Sequence, residues 1–167
     1  AAGVAIDELS QEITDYLNRF ASTLTDTPAA NGFAFEFFLV KDSTMNAFAL
    51  PGGVIGVHTG LLIAAQSESE LAAVLAHEVG HVTQRHIARM LAQQRQGSVL
   101  QIASLVLAAL AARSNPQAAM GAVALGGSAT QQMLLSFNRD AEREADRVGI
   151  EMLRDAGFDP NGMVAFF

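Results

Sequence analysis

At 167 residues, half of them hydrophobic, the chain is long enough for one domain that buries about 70% of the surface its unfolded form exposes, without staples. It has no cysteine, which excludes a disulfide framework, a thiolate metal site and a cysteine nucleophile, and leaves His, Asp and Glu as the side chains that can hold a metal. Ten Lys+Arg against 17 Asp+Glu give a formal charge of −7 and no basic stripe, which argues against nucleic acid as a partner.

No N-terminal stretch pairs a basic head with an apolar run and a small-residue cleavage site, so the chain reads as mature or trimmed. The spacing of Ile6, Leu9, Ile13, Tyr16, Leu17, Phe20 and Leu24 predicts an amphipathic helix over 5–24. Asn31-Gly32 is a turn signal, and the aromatic and branched residues of 33–40 favour a mostly buried strand. Two more short strands follow, over 46–50 and 54–58, joined by Pro51-Gly52-Gly53. Residues 59–65 form a short helix, and Ser67 with Glu70 makes a capping box that opens a longer helix running to about Gln94.

The apolar run from Val99 to Ala112 is 14 residues long, short of the roughly 20 that span a bilayer. No transmembrane segment is expected; the run reads as a buried, lid or surface-lying helix, with peripheral membrane contact left open. Ser114-Asn115-Pro116 breaks it, and a small-residue stretch to Gly127 completes a helical hairpin. A last long helix covers 137–156, stopped by Gly157, and Asp159-Pro160 caps a further one. The chain ends inside that helix, on Phe166-Phe167, which leads to the expectation of a fragment with more protein downstream.

His77-Glu78-Val79-Gly80-His81 carries the chemistry. Residues four apart on a helix share a face, so two imidazoles can reach one ion while the intervening Glu projects beside it. A catalytic zinc site takes three protein ligands and leaves one position open. A third histidine in the register of the metzincin extension is absent, because position 87 is Ile87, and His86 misses that register by one residue, about 100° around a helix. His86 reads as a surface or outer residue. On the helix of 137–156, Ala141, Ala145, Val148, Gly149, Met152 and Leu153 make one apolar sector, with Glu142 at its edge. Glu144 falls with Asp140, Glu151 and Asp155 on an acidic, solvated side. An inward Glu142 is open to pairing with Arg139 or to binding metal; beside the histidine pair, the ligand reading prevails. Asp146, one turn on, is placed to accept a hydrogen bond from the outer nitrogen of a ligand His.

Three blocks together resemble the Peptidase_M48 family, gluzincins that include membrane prenyl-protein proteases and soluble bacterial periplasmic members. They are Asn46-Ala47-Phe48-Ala49 with Gly52-Gly53, the helix through His77 to His81, and Glu142-Arg143-Glu144-Ala145-Asp146-Arg147-Val148-Gly149. The resemblance covers nearly the whole chain, and His81-Val82-Thr83-Gln84-Arg85-His86 and Gly157-Phe158-Asp159-Pro160 suggest the soluble, BepA-like branch. It implies an α+β fold, here mostly helical with a small three-stranded sheet, forming a single peptidase domain over 1–167 that stops before a C-terminal tetratricopeptide domain. It also implies one zinc ion per chain on His77, His81 and Glu142, with Asp146 behind them; Arg139 is expected beside Glu142 from the residues alone. Glu78 is then the general base for the water that attacks the peptide bond.

The same resemblance implies a periplasmic location and substrates among unfolded or misassembled outer-membrane proteins, with the outer-membrane assembly machinery as a possible partner. The alternative is a chaperone-like client-binding protein with latent or negligible proteolysis. Asn46, Ala47, Phe48 and Ala49 are expected to hold substrate as an added strand. No oxyanion donor is assigned: Tyr16 is the only tyrosine and belongs to the first helix, and His58, His86 and Arg139 read as structural.

Overall fold

The computed structural model describes the backbone of residues 2–166 and the side chains of residues 8–165, so the side chains of Ile6, Phe166 and Phe167, named above, lie outside the described residues. The chain divides into two compact units, Ala1–Arg85 with Glu142–Phe167, and His86–Ala141.

The first unit opens with helix α1 (Ala2–Thr25), which buries Leu17, Ala21 and Leu24 on one face. A short 3-10 turn, Pro28–Ala30, and Gly32 at a left-handed φ of 86° redirect the chain into strand β1 (Glu36–Val40). Strand β2 (Ala47–Leu50) and strand β3 (Val54–His58) form a hairpin whose turn contains Gly52 and Gly53 at φ 90° and 81°. The sheet order is β1-β3-β2, with β1 parallel and β2 antiparallel to β3. Both outer strands are shorter than the sequence suggests, beginning at Glu36 and Ala47 rather than at 33 and 46.

Alternation puts Phe37, Ile55, Val57 and Ala47 on the core face. The opposite face carries Phe38, Phe48 and His58, and a Cβ at Gly56 would lie 2.4 Å from the Phe48 ring, so glycine makes room for the two phenylalanines. The two edges of the sheet differ. The Asn18 side chain of α1 donates to the carbonyl of Phe37 at 2.8 Å and accepts from its N–H at 3.0 Å, which closes the outer edge of β1. The bond from His58 N–H to the Asn46 carbonyl, 3.0 Å, fixes the antiparallel register so that the N–H and C=O of Ala47 and Ala49 point away from β3.

Helix α2 (Thr59–Ala64) leads to α3 (Glu68–Thr83), buried along nearly its whole length from Leu71 to Gly80. Ser67 caps α3 by accepting from the Glu70 N–H at 3.2 Å, and the Glu70 carboxylate reaches back to the Gln66 N–H at 2.7 Å. The predicted helix to Gln94 is in fact two. Arg85 takes a left-handed φ of 55°, and α4 (His86–Ala111) starts anew. Conversely, the hairpin's second arm and the last long helix are one continuous α5 (Pro116–Ala156). Gly157, at φ 82°, ends it with paired bonds from Gly157 N–H to the Arg154 carbonyl and from Phe158 N–H to the Leu153 carbonyl, and α6 (Asn161–Phe166) follows.

In the second unit, α4 and the first part of α5 lie antiparallel, joined at a turn where Asn115 Oδ1 accepts from the N–H groups of Gln117 and Ala118. Among the described residues, no helix is long and apolar enough to cross a membrane.

Candidate metal centre

His77 and His81 sit one turn apart near the end of α3, so both rings leave the same face, with centroids 4.6 Å apart and planes nearly perpendicular. The C-terminal part of α5 meets that face at very close range. A Cβ on Gly80 would lie 2.9 Å from the carbonyl oxygen of Ala145, and one on Gly149 would lie 3.3 Å from the backbone of Ala76 and His77. Two glycines and two alanines thus let the helix backbones touch, and this contact delivers Glu142 and Asp146 to the histidines.

The Nε2 atoms of His77 and His81 are 3.0 Å apart. Glu142 approaches them at 3.2 Å and 3.5 Å. Among the described residues, His77, His81 and Glu142 are the group whose donor atoms all fall within 4.8 Å of one another in a manner suited to an ion. Asp146 Oδ1 lies 2.8 Å from His77 Nδ1. A carboxylate accepts, so Nδ1 carries the proton and Nε2 presents a lone pair to the cluster. The donor set fits zinc: bonds of about 2.0–2.1 Å at tetrahedral angles place ligand atoms about 3.3 Å apart, close to the spacings seen.

Glu142 differs from expectation in burial. It lies at the rim, with its side chain 60% exposed, while its carboxylate still turns to the imidazoles. His77 is buried and His81 nearly so, which leaves the open side of the cluster beside Glu142.

Glu78 points to the sheet. Burial pushes its carboxyl up to about 7, the negative charge of Glu142 adds to the rise, and a hydrogen bond from the backbone N–H of Ala49 opposes it. That N–H belongs to the outward-facing edge of β2, so the edge strand and the acid–base candidate meet directly. Nothing in the sequence marks this bond, because it depends on how β2 packs on α3. The Gly80 contact had a legible signal, small residues at Ala76 and Gly80 facing small residues at Ala145 and Gly149 with matching four-residue spacing.

Other candidates fall elsewhere. Arg139 belongs to the second unit and donates to Ser136 one turn earlier, at 3.3 Å. His86 is 4% exposed, so it is buried and not a surface residue. Glu144 is half-buried rather than solvated. His58 is buried, with Nδ1 2.7 Å from the Thr44 hydroxyl. The Thr44 N–H and hydroxyl also bond Asp42, holding its carboxyl below the usual carboxylate range. Tyr16 is stacked on Phe20 within α1.

The model of Peptidase family M48 matches residues 8–167. The putative beta-barrel assembly-enhancing protease of Vibrio cholerae is 41% identical over 155 residues, covering 93% of this chain and 32% of that protein. The beta-barrel assembly-enhancing protease of Escherichia coli is 38% identical over 154 residues, covering 92% and 32%. A mitochondrial metalloendopeptidase, OMA1 of Schizosaccharomyces pombe, is 34% identical over 148 residues, covering 89% and 41%. The chain thus spans about a third of the length of the bacterial relatives it matches.

Proposed function

The chain belongs to peptidase family M48 as a metalloendopeptidase domain, and from that premise we propose that it hydrolyses unfolded or misassembled envelope proteins with one zinc ion held by His77, His81 and Glu142. The observation that carries this reading is the convergence of three donor atoms within 4.8 Å beside the half-buried carboxyl of Glu78. Bound zinc supplies Lewis acidity, which acidifies a water and polarises the scissile carbonyl.

The rest is the work of the chain's own residues. Asp146 keeps the proton on His77 Nδ1, so that Nε2 stays a donor to the ion. Glu78 takes the proton of the attacking water and passes it to the leaving amine; its burial raises the carboxyl above the ordinary carboxylate range, which suits it to both transfers. A cation near Glu142 offsets the charge that raises Glu78, which favours the proton-accepting form. Substrate is held as a strand along the edge of β2, where the N–H and C=O of Ala47 and the C=O of Ala49 turn outward, the Ala49 N–H being engaged by Glu78, and Asn46 and Phe48 flank them. With the other edge closed by Asn18, β2 is the edge left for pairing.

The names of the two bacterial relatives speak of beta-barrel assembly, which supports an activity in the bacterial envelope; the periplasm and outer-membrane substrates follow from the family resemblance. The test is cleavage of an unfolded protein such as casein by the zinc-loaded chain and by Glu78→Gln. The variant is expected to retain zinc and lose about 10²–10⁴-fold in rate. Unchanged cleavage would remove Glu78 from the reaction, and binding of casein without cleavage by the parent chain would favour a client-binding role.

A further inference from the structure

We propose that the α4–α5 hairpin, residues 86–141, lies in the headgroup–acyl boundary of an anionic phospholipid membrane. Its packing is the reverse of a soluble hairpin's. The faces in contact are small: Gly97, Ser104 and Ala108 are buried on α4, and a Cβ at Gly126 would come 2.3 Å from Ser104 Oγ. Thr130 is buried there too and donates from its hydroxyl to the carbonyl of Gly126, at 2.9 Å. The large aliphatic side chains face away. Val99, Ile102, Leu107, Leu110, Met120 and Leu125 are each between 60% and 76% exposed.

At about 100° per residue, the exposed apolar positions of α4 cover more than half of its circumference. Water is a poor solvent for such a surface. Small residues at the helix contact with aliphatic side chains outside are the arrangement of helices solvated by lipid.

Charge names the kind of membrane. Residues 86–141 hold four arginines, Arg89, Arg95, Arg113 and Arg139, and one acid, Asp140, in a chain whose formal charge is −7. Between positions 96 and 138 the sole charged residue is Arg113, at the turn of the hairpin. The unit is therefore basic where the rest is acidic, complementary to anionic headgroups. Length sets the orientation. Arg95 on α4 and Arg113 just past its end bracket an uncharged stretch about 27 Å long at helical rise, and no described helix suits crossing. An apolar helical stretch bracketed by arginines lies in the plane of the interface, with both guanidinium groups reaching phosphate. A polypeptide client fits less well, because the backbone groups of these helices are bonded within the helices and offer no strand-pairing edge.

The test is flotation of the full chain with vesicles of phosphatidylglycerol and phosphatidylethanolamine, against vesicles of phosphatidylcholine alone. The anionic vesicles are expected to bind at least about tenfold more tightly. Leu107→Asp with Leu110→Asp is expected to lose about tenfold or more in binding while helicity by circular dichroism stays unchanged. The sequence has no tryptophan, so Leu107→Trp gives a single reporter, expected to shift to the blue on binding and to be quenched by acyl-brominated lipid. The proposal is overturned if the folded chain floats with neither vesicle, or if it floats while the Leu107→Trp signal stays unquenched. It is equally overturned if the two aspartates abolish a dimer or casein binding in a chain that never binds lipid.

Discussion

Asp146 and Glu78 are the two side chains whose roles can be separated from those of the ligands. Asp146 touches His77 and no reacting group, so Asp146→Asn is expected to weaken zinc affinity about 10–100-fold, read by competition with a chromophoric chelator. Unchanged affinity would show that the 2.8 Å bond orients nothing of consequence. Glu78 gives a pH signature in the metal-free chain. Its carboxyl is raised from 4.5 to about 7 on folding, so the folded state holds a proton that the unfolded state releases between those values. The stabilisation is present below about 4.5 and is lost as pH rises to about 7. Metal-free Glu78→Gln should therefore be the more stable protein at pH 8, by up to about 3 kcal/mol, with the gap closing toward pH 4 in denaturant titrations. A gap independent of pH would mean that Glu78 is not perturbed. At this scale the sequence was informative where chemistry is local: four-residue spacing put His77 and His81 on one face, and the helical wheel singled out Glu142 and Asp146, which the structure places beside them. The Ala49 N–H at Glu78 was invisible, since a backbone donor has no side-chain signature.

Between elements, the decisive contact is α3 against α5, where backbone meets backbone at Gly80 and Gly149. Gly80→Ala would push Ala145 away and separate Glu142 from the imidazoles. It is expected to cost about 1–3 kcal/mol of stability and to weaken zinc binding as well. Thermal unfolding and metal titration of the one variant check both effects, and a loss of stability without a loss of affinity would mean that the helices need not touch for the ligands to meet. Helix existence was legible from period and caps, as at Ser67 and Gly157. Helix boundaries were less so. The break at Arg85 uses a left-handed arginine with neither glycine nor proline to announce it, while the glycines at 126 and 127 signal an interruption that α5 does not make. Packing overrides propensity there: Gly126 is retained for closeness to Ser104.

Over the whole molecule, the proposed ion ties residues of α3 to a residue about 60 positions later in the chain, so metal binding and folding of the first unit are linked. Chelation should lower the melting temperature of the parent chain, and by much less in His77→Ala, which has already lost a ligand; equal shifts would place the stabilising metal elsewhere. The three strands and the helices around them were readable from period and turn signals, and the family resemblance implied their α+β organisation; the separate unit of residues 86–141, with its inward small residues and outward aliphatic ones, needed the structure. The central claim is that His77, His81 and Glu142 hold one zinc ion in common. It is tested most directly by a crystal structure of the zinc-loaded chain with anomalous data at the zinc edge. The account predicts a single strong peak about 2.0–2.2 Å from both Nε2 atoms and a Glu142 oxygen. A peak bound elsewhere, or one on the histidines with the Glu142 carboxylate turned away, would contradict it.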